Sequence, residues 1–198
     1  IEELPEPLAF AYSKILHLSR FLHEKYNLGV GRFFFSSAHH AFGPRFRFFA
    51  SGGARLDPVI MKDLEAMGFA VLEGYGLTET APVVTFNPMS KRKPGSGGIP
   101  LPSVEIRILN PAENGEGEIE IRGPMVMKGY YKNPSATADV MDNGWFRTGD
   151  IGRIDKEGYL FVTGRSKEVI VLSSGKNIYP EDVEDVVSRV EGIQPGRV

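Results

Sequence analysis

Two short glycine-bearing stretches, Ser51-Gly52-Gly53-Ala54 and Glu73-Gly74-Tyr75-Gly76-Leu77-Thr78-Glu79, hold the residue types that a flat, phosphorylated ligand would need. Glycines let the backbone come close to such a ligand because no Cβ stands in the way. Tyr75 can stack on a heterocycle, Thr78 can hydrogen-bond a phosphate oxygen, and Glu79 can hold a divalent cation. Either stretch alone reads better as a tight turn; the two together bring the ligand-binding reading level with it. Both follow short apolar runs of strand type, and in open α/β sheets ligands sit at the carboxyl ends of strands.

Other chemistry-bearing residues group less well. Ser173-Ser174-Gly175-Lys176 imitates the end of a phosphate-binding P-loop, but Ile170 occupies the place of the first glycine and Asn177 that of the final Ser or Thr. His17, His23, His39 and His40 have no carboxylate spacing of a zinc site and read as surface or packing residues. Lys91-Arg92-Lys93 reads as a solvated loop rather than a binding patch, and Trp145-Phe146 leans toward core.

The elements that must position these residues are visible in the pattern. After Pro5 and Pro7, the apolar residues Leu8, Tyr12, Ile15, Leu18 and Leu22 recur at helical spacing as far as Asn27-Leu28-Gly29. Residues 46–50 and 69–72 read as strands. Between them Asp57-Pro58 offers a cap and a first-turn proline, Ile60, Leu64 and Met67 share a face, and Gly68 stops the helix. Strand, helix and strand in this order predict a parallel βαβ unit. Beyond Pro94, residues 104–109 and 118–122 alternate around a Pro/Asn/Gly turn, and residues 151–155 and 159–163 form a second hairpin, so a small antiparallel sheet is expected. Residues 168–172 read as a further strand. A helix opened by Pro180 follows, with Val183, Val186, Val187 and Val190 expected inward.

Composition narrows the classes. The chain has 198 residues with 41% hydrophobic, enough for a sizeable core in one large domain or a domain plus a fragment. Its 23 basic and 25 acidic residues give a net charge of −2, which argues against nucleic acid as a partner. The absence of cysteine excludes disulfide scaffolds, thiol catalysis and cysteine-ligated metals. Apolar runs fall short of the ~20 residues needed to span a bilayer. No basic-then-apolar leader is seen, so a cytoplasmic location is expected. The first residue is Ile1 rather than Met, which suggests a piece of something longer.

Four stretches in order carry a resemblance: Tyr75-Gly-Leu-Thr-Glu79; Gly117-Glu-Ile-Glu-Ile-Arg-Gly123 with Gly129-Tyr-Tyr131; Trp145-Phe-Arg-Thr-Gly-Asp150; and Gly164-Arg-Ser-Lys167 running on to Gly175-Lys-Asn-Ile-Tyr-Pro-Glu181. Across roughly residues 46–184 the chain resembles the adenylate-forming superfamily of acyl-CoA synthetases, luciferases and peptide-synthetase adenylation domains. The lead-in from Phe46 to Ala54 and the ending from Lys176 to Glu181 look most like microbial synthetases for medium- or long-chain fatty acids.

The resemblance implies a set of roles. Gly52, Gly53, Ala54 and the backbone around Glu73–Tyr75 would form the adenine site, Thr78 would contact phosphate and Glu79 would bind Mg2+. Asp150 would grip the ribose hydroxyls, with acceptor oxygens suited to a vicinal diol, and Arg165 would lie on the ribose side. Lys167 would be the hinge of a rotating lid. Gly175 would approach the pantetheine of coenzyme A, and Gly74 and Gly76 would neighbour the acyl group. ATP, AMP and coenzyme A follow as cofactors or co-substrates and a fatty acid or other small carboxylic acid as substrate, with peripheral membrane contact compatible.

The expected fold class is α/β: a remnant of a mixed or parallel sheet with helices, then an antiparallel β subdomain, then a truncated α+β lid. The corresponding boundaries are 1–93, 94–163 and 164–198. The family's phosphate loop and its C-terminal lysine are absent from the sequence, so the resemblance implies an internal slice, inactive alone, of an AMP-forming fatty acid–CoA ligase. An acyl-AMP ligase that loads a carrier protein and a non-catalytic nucleotide-binding scaffold are the alternatives.

Overall fold

A computed structural model of the protein describes residues 5–26, 28–54, 56–166, 170–171, 177–178 and 180–187. They fall into two units, Ile1–Gly74 with Asn87–Gly95, and Tyr75–Phe86 with Ser96–Val198.

In the first unit, helix α1 (Glu6–Tyr26) forms as the spacing predicts, but of the predicted apolar run only Tyr12 and Leu22 are half-buried. Leu8, Ile15 and Leu18 are exposed, while Ser19 is fully buried. The packed stripe is Tyr12, Leu16, Ser19 and His23, a 4-3-4 spacing in which the small Ser19 admits a close neighbour. Its hydroxyl donates to Ala66 O at 2.6 Å, and the Tyr12 hydroxyl donates to Met67 Sδ at 3.3 Å. Two short helices, α2 (Gly31–Phe34) and α3 (Ser36–Phe42), follow. A Cβ on Gly31 would lie 2.0 Å from Ala66 O, so the close approach of α2 requires glycine there.

Strand β1 (Phe49–Ser51) then pairs in parallel with β2 (Val71–Tyr75), with Ser51 opposite Glu73. Between them lies α4 (Pro58–Ala66), capped by the Asp57 carboxylate accepting from Val59 N, with Pro58 in its first turn and Gly68 at φ +88° after its end. The parallel βαβ unit is therefore present. β1 begins later than expected because Phe46 sits in an aromatic cluster with Phe42, Phe49 and Phe69. His39 joins this packing: its ring stacks on Phe69 and its Nε2 is 2.9 Å from Met67 O. Arg92 pairs with Glu65 at 3.0 Å, so that basic residue is engaged within the unit.

The second unit holds the antiparallel pair β3 (Thr85–Phe86) and β4 (Ile99–Pro100) and a five-stranded antiparallel sheet. The sheet comprises β5 (Glu105–Leu109), β6 (Gly117–Arg122), β7 (Met141–Asp142), β8 (Trp145–Ile154) and β9 (Leu160–Arg165), in the order β5-β6-β8-β7 with β9 also on β8. Helix α5 (Pro134–Val140) precedes β7 and is capped by Asn133. The ten-residue β8 is the spine. Its start pairs with β7 through an Asn143-Gly144 turn in which both residues have positive φ, and its end pairs with β9. Val84, Val104, Ile119, Ile121 and Leu160 form the core, and Phe146 is buried as expected.

Short antiparallel strands β10 (Ile170–Val171) and β11 (Asn177–Ile178) and helix α6 (Pro180–Val187) complete the described elements. Contrary to the inward reading, Val183, Val186 and Val187 are exposed, since no described element covers that side; Val190 lies outside the described residues. Among the described residues no helix is long and apolar enough to cross a membrane.

Candidate functional site

In the first unit the two glycine stretches emerge side by side from the carboxyl ends of parallel strands. The pairing of Ser51 with Glu73 sets them abreast, and a Cβ on Gly52 would meet Gly74 O at 3.3 Å. Gly53 adopts φ +83° with open space beside it. Glu73 is buried, and its Oε2 accepts from Gly95 N at 2.9 Å while its backbone oxygen accepts from Asn87 N. The Glu73 carboxylate thus fastens the segment 87–95.

In the second unit the chain leaves β2 through Gly76, where a Cβ would fall 1.9 Å from Pro82 O. A one-turn 3-10 helix, Thr78–Thr80, follows. Buried Thr80 closes it: its Oγ1 accepts from Leu77 N at 3.0 Å and donates to Leu77 O at 2.9 Å. This turn leaves the Thr78 side chain exposed and Glu79 half-buried. Glu79 Oε1 accepts from the Tyr130 hydroxyl at 3.1 Å, whereas Oε2 has no hydrogen bond among the described residues. Partial burial, then the Glu79 carboxylate, raises the Tyr130 phenol above its ordinary value.

A second cluster gathers on β8 and β9. Asp150 is 5% exposed; its Oδ2 accepts from the Tyr75 hydroxyl at 2.7 Å and its Oδ1 lies 3.3 Å from Arg165 Nε. The antiparallel register places Arg165 directly opposite Asp150. The turn before Asp150 is itself held. Thr148 Oγ1 donates to Ile119 O and accepts from Asp150 N, Gly149 takes φ +73°, and Gly149 N donates to Glu118 Oε1. Burial, then the Asp150 charge, pushes the Tyr75 phenol far above its ordinary range, so it is a donor at every working pH. The tyrosine read as a stacking ring therefore also fixes a carboxylate by its hydroxyl.

The structure thus joins Tyr75, Asp150 and Arg165 in one cluster, and places Thr78 and Glu79 on one turn with Tyr130. Gly52, Gly53 and Ala54 lie beside Gly74. Lys167 and Gly175, together with the P-loop-like residues 173–176, lie outside the described residues. The Tyr130 contact carries no signal in sequence beyond the Gly129-Tyr-Tyr131 motif, because 51 positions separate it from Glu79. Trp145 is not plain core: the guanidinium groups of Arg107 and Arg122 both lie over its ring, 4.2 and 4.6 Å from the centroid.

Known proteins share this pattern. The chain is 39% identical over 156 residues to the long-chain-fatty-acid–CoA ligase FadD13 of Mycobacterium tuberculosis, covering 76% of this chain and 31% of that protein. It is 42% identical over 152 residues to the long-chain-fatty-acid–CoA ligase of Escherichia coli O157:H7, covering 73% and 27% respectively. The O-succinylbenzoate coenzyme A synthetase of Bacillus subtilis, solved with ATP and magnesium ion, superposes with a TM-score of 0.65 at 38% identity, over 72% of this chain and 31% of that one. The chain therefore spans about a third of the length of the curated relatives it matches. Residues 13–131, which carry both glycine stretches, the Thr78–Glu79 turn and Tyr130, match the family described as AMP-binding enzyme, and it is to this family that the chain belongs.

Proposed function

We propose that this chain is a segment of an AMP-forming ligase that activates a fatty acid with ATP and passes the acyl group to coenzyme A. The observation that carries the reading is the buried Asp150, held by Tyr75 and Arg165, in a chain whose residues 13–131 match the AMP-binding enzyme family. In the first step a carboxylate oxygen bonds to the α-phosphorus of ATP, the bond to the β-phosphate bridging oxygen breaks, and pyrophosphate leaves. In the second a thiol sulfur attacks the acyl carbon, the bond to the AMP oxygen breaks, and AMP departs with the thiol proton lost to solvent. Positioning and charge neutralisation supply most of the rate in such chemistry.

In this reading Asp150 accepts from the ribose diol, Arg165 borders it, and Thr78 donates to phosphate. Gly52, Gly53, Ala54 and the backbone of Glu73–Tyr75 adjoin the adenine, and Gly74 and Gly76 neighbour the acyl group. Mg2+ fits Glu79: its Oε2 has no hydrogen bond among the described residues, the exposed Thr78 lies on the same turn, and carboxylate and hydroxyl oxygens are hard donors. When bound, the ion supplies neutralisation of phosphate charge. The division into 1–93, 94–163 and 164–198, with Lys167 as hinge and Gly175 near the pantetheine, belongs to the same proposal, as does a cytoplasmic location. The 198-residue chain by itself is proposed to be inactive.

The test uses the full-length protein that carries this segment. Fatty-acid-dependent pyrophosphate release and acyl-CoA formation are expected, and Asp150→Ala should weaken ATP binding about 10- to 100-fold with every acyl substrate, the loss of a charge-assisted hydrogen bond. No acid-dependent pyrophosphate release would overturn the reading. Acyl-adenylate that transfers only to a carrier protein would redirect it to the carrier-loading alternative. Release by the isolated 198-residue chain would refute its inactivity.

A further inference from the structure

The Gly129-Tyr-Tyr131 motif is left without a task by the roles above, yet one of its residues touches the carboxylate at the centre of them. We propose that Tyr130 is a positioning residue that orients Glu79 for a divalent cation, an inference that rests on the reading of Glu79 as the metal ligand. A half-buried glutamate has three rotatable bonds, and holding it in one pose costs rotamer freedom. A hydroxyl donor on one carboxylate oxygen meets that cost before the ion arrives and leaves the second oxygen directed away from the donor. The 3.1 Å bond from Tyr130 to Glu79 Oε1, with Oε2 uncommitted, has this form.

Two further observations show that the donor is itself held. Met127 N donates to Glu79 O at 2.8 Å, so the two segments are tied by backbone as well as by side chain. Behind the ring, Tyr130 N donates to Thr137 Oγ1 at 2.9 Å, and that hydroxyl donates in turn to Asn133 O at 2.9 Å. Asn133 Oδ1 accepts from Ala136 N, capping α5, so the helix start acts as a bracket for the tyrosine. Gly129 completes it. Its φ is +147°, and a Cβ there would lie 2.7 Å from Thr137 Cγ2, so only glycine lets the chain pass this close to the bracket. Groups that hydrogen-bond a metal ligand from behind are commonly worth 10- to 100-fold in metal affinity; a half-exposed, 3.1 Å bond belongs at the low end of that range.

The decisive measurement is Mn2+ binding to the full-length protein, followed by electron paramagnetic resonance in the presence of a non-hydrolysable ATP analogue, with Mg2+-dependent adenylation kinetics alongside. Tyr130→Phe removes one oxygen atom and is expected to weaken Mn2+ about tenfold and to raise the Mg2+ concentration for half-maximal rate by a similar factor. The rate at saturating Mg2+ should change less than about twofold. Thr137→Val, which keeps the phenol but removes its bracket, should give a smaller shift in the same direction. Glu79→Gln separates the two levels of the argument. If it weakens Mn2+ while Tyr130→Phe and Thr137→Val leave the titration unchanged, the positioning role is refuted and the Glu79 assignment stands. If Glu79→Gln itself leaves Mn2+ affinity unchanged, the Glu79 assignment fails and this inference fails with it. A loss of maximal rate in Tyr130→Phe without any shift in metal affinity also refutes it.

Discussion

Tyr75 and Asp150, 75 positions apart in the chain, share a 2.7 Å hydrogen bond in which the phenol donates to Oδ2 of a buried carboxylate. A buried carboxylate is costly unless its lone pairs are met, and this donor meets one of them at a fixed angle. Tyr75→Phe should therefore destabilise the full-length protein by roughly 1.5–3 kcal/mol, the range for a hydrogen bond to a charged group. Urea denaturation of the single variants and of Tyr75→Phe with Asp150→Asn measures it. The double variant should cost clearly less than the sum of the two singles, and simple additivity would show that the bond does not couple them.

The same pair sets an alkaline limit. The Tyr75 phenol titrates above its ordinary value in the folded protein, first through burial and then through the Asp150 charge. Between the ordinary value near 10 and its folded value, the native state holds a proton that the unfolded state has released. Stability from this group is thus complete below about pH 10 and falls as pH rises further. Denaturation midpoints measured on both sides of pH 10 should decline more steeply for wild type than for Tyr75→Phe; parallel curves would contradict the assignment.

Gly76 is a backbone constraint on the turn that carries Thr78 and Glu79. A methyl group there would stand 1.9 Å from Pro82 O, a separation that neither backbone segment can absorb without moving. Gly76→Ala is expected to lower adenylation at least tenfold and to lower the melting temperature. Gly53→Ala offers the contrast: the space is open and only the φ of +83° is unfavourable, at a cost of about 1–2 kcal/mol. Equal effects from the two substitutions would show that the close approach at Gly76 does not govern the turn.

Local signals made part of this architecture readable. Asp57-Pro58 and Gly68 bound α4 in sequence as in structure, and the alternation read at 104–109 and 118–122 becomes β5 and β6 with each start shifted by one residue. The Asn143-Gly144 turn and the Asn133-Pro134 cap were legible by the same rules, yet the hairpin and helix they mark were not anticipated. Other features had no local signal. Ser19 rather than Leu18 holds the most buried position of α1, where its hydroxyl donates to Ala66 O at 2.6 Å, a contact made by a different element. In the candidate site, the residue types of Asp150, Glu79 and Arg165 were apparent. The hydrogen bonds that Tyr75 and Tyr130 make to Asp150 and Glu79 were not, since strand register and the α5 bracket decide those contacts over 75 and 51 residues.

A final prediction concerns the charge ladder across β5, β6 and β8. Glu120 is 1% exposed, and the strand register sets Arg107 on one side of it and Arg147 on the other. Arg107 Nε lies 2.5 Å from Glu120 Oε2, and Arg147 Nε 3.8 Å from Oε1. The arginines are each more than two-fifths exposed, so either can turn to water if its partner is lost. The carboxylate cannot. Removing the cation should therefore cost more than removing the anion, although the same ion pair is broken. Arg107→Met leaves a buried charge with only the longer contact to Arg147 and is expected to cost about 3 kcal/mol, the low end for an uncompensated buried ion. Glu120→Gln keeps the shape, removes the charge and should cost less than about 1.5 kcal/mol. Adding Glu120→Gln to Arg107→Met should then restore part of the lost stability. Arg107 also covers one face of Trp145, the chain's sole tryptophan, so Arg107→Met should shift its fluorescence while Glu120→Gln should not. Where the parent protein carries further tryptophans, replacing them with phenylalanine isolates this signal. Chemical denaturation of the three variants decides the matter: a larger loss from Glu120→Gln than from Arg107→Met would mean that the carboxylate acts as a hydrogen-bond hub for the sheet rather than as a buried charge in need of a partner.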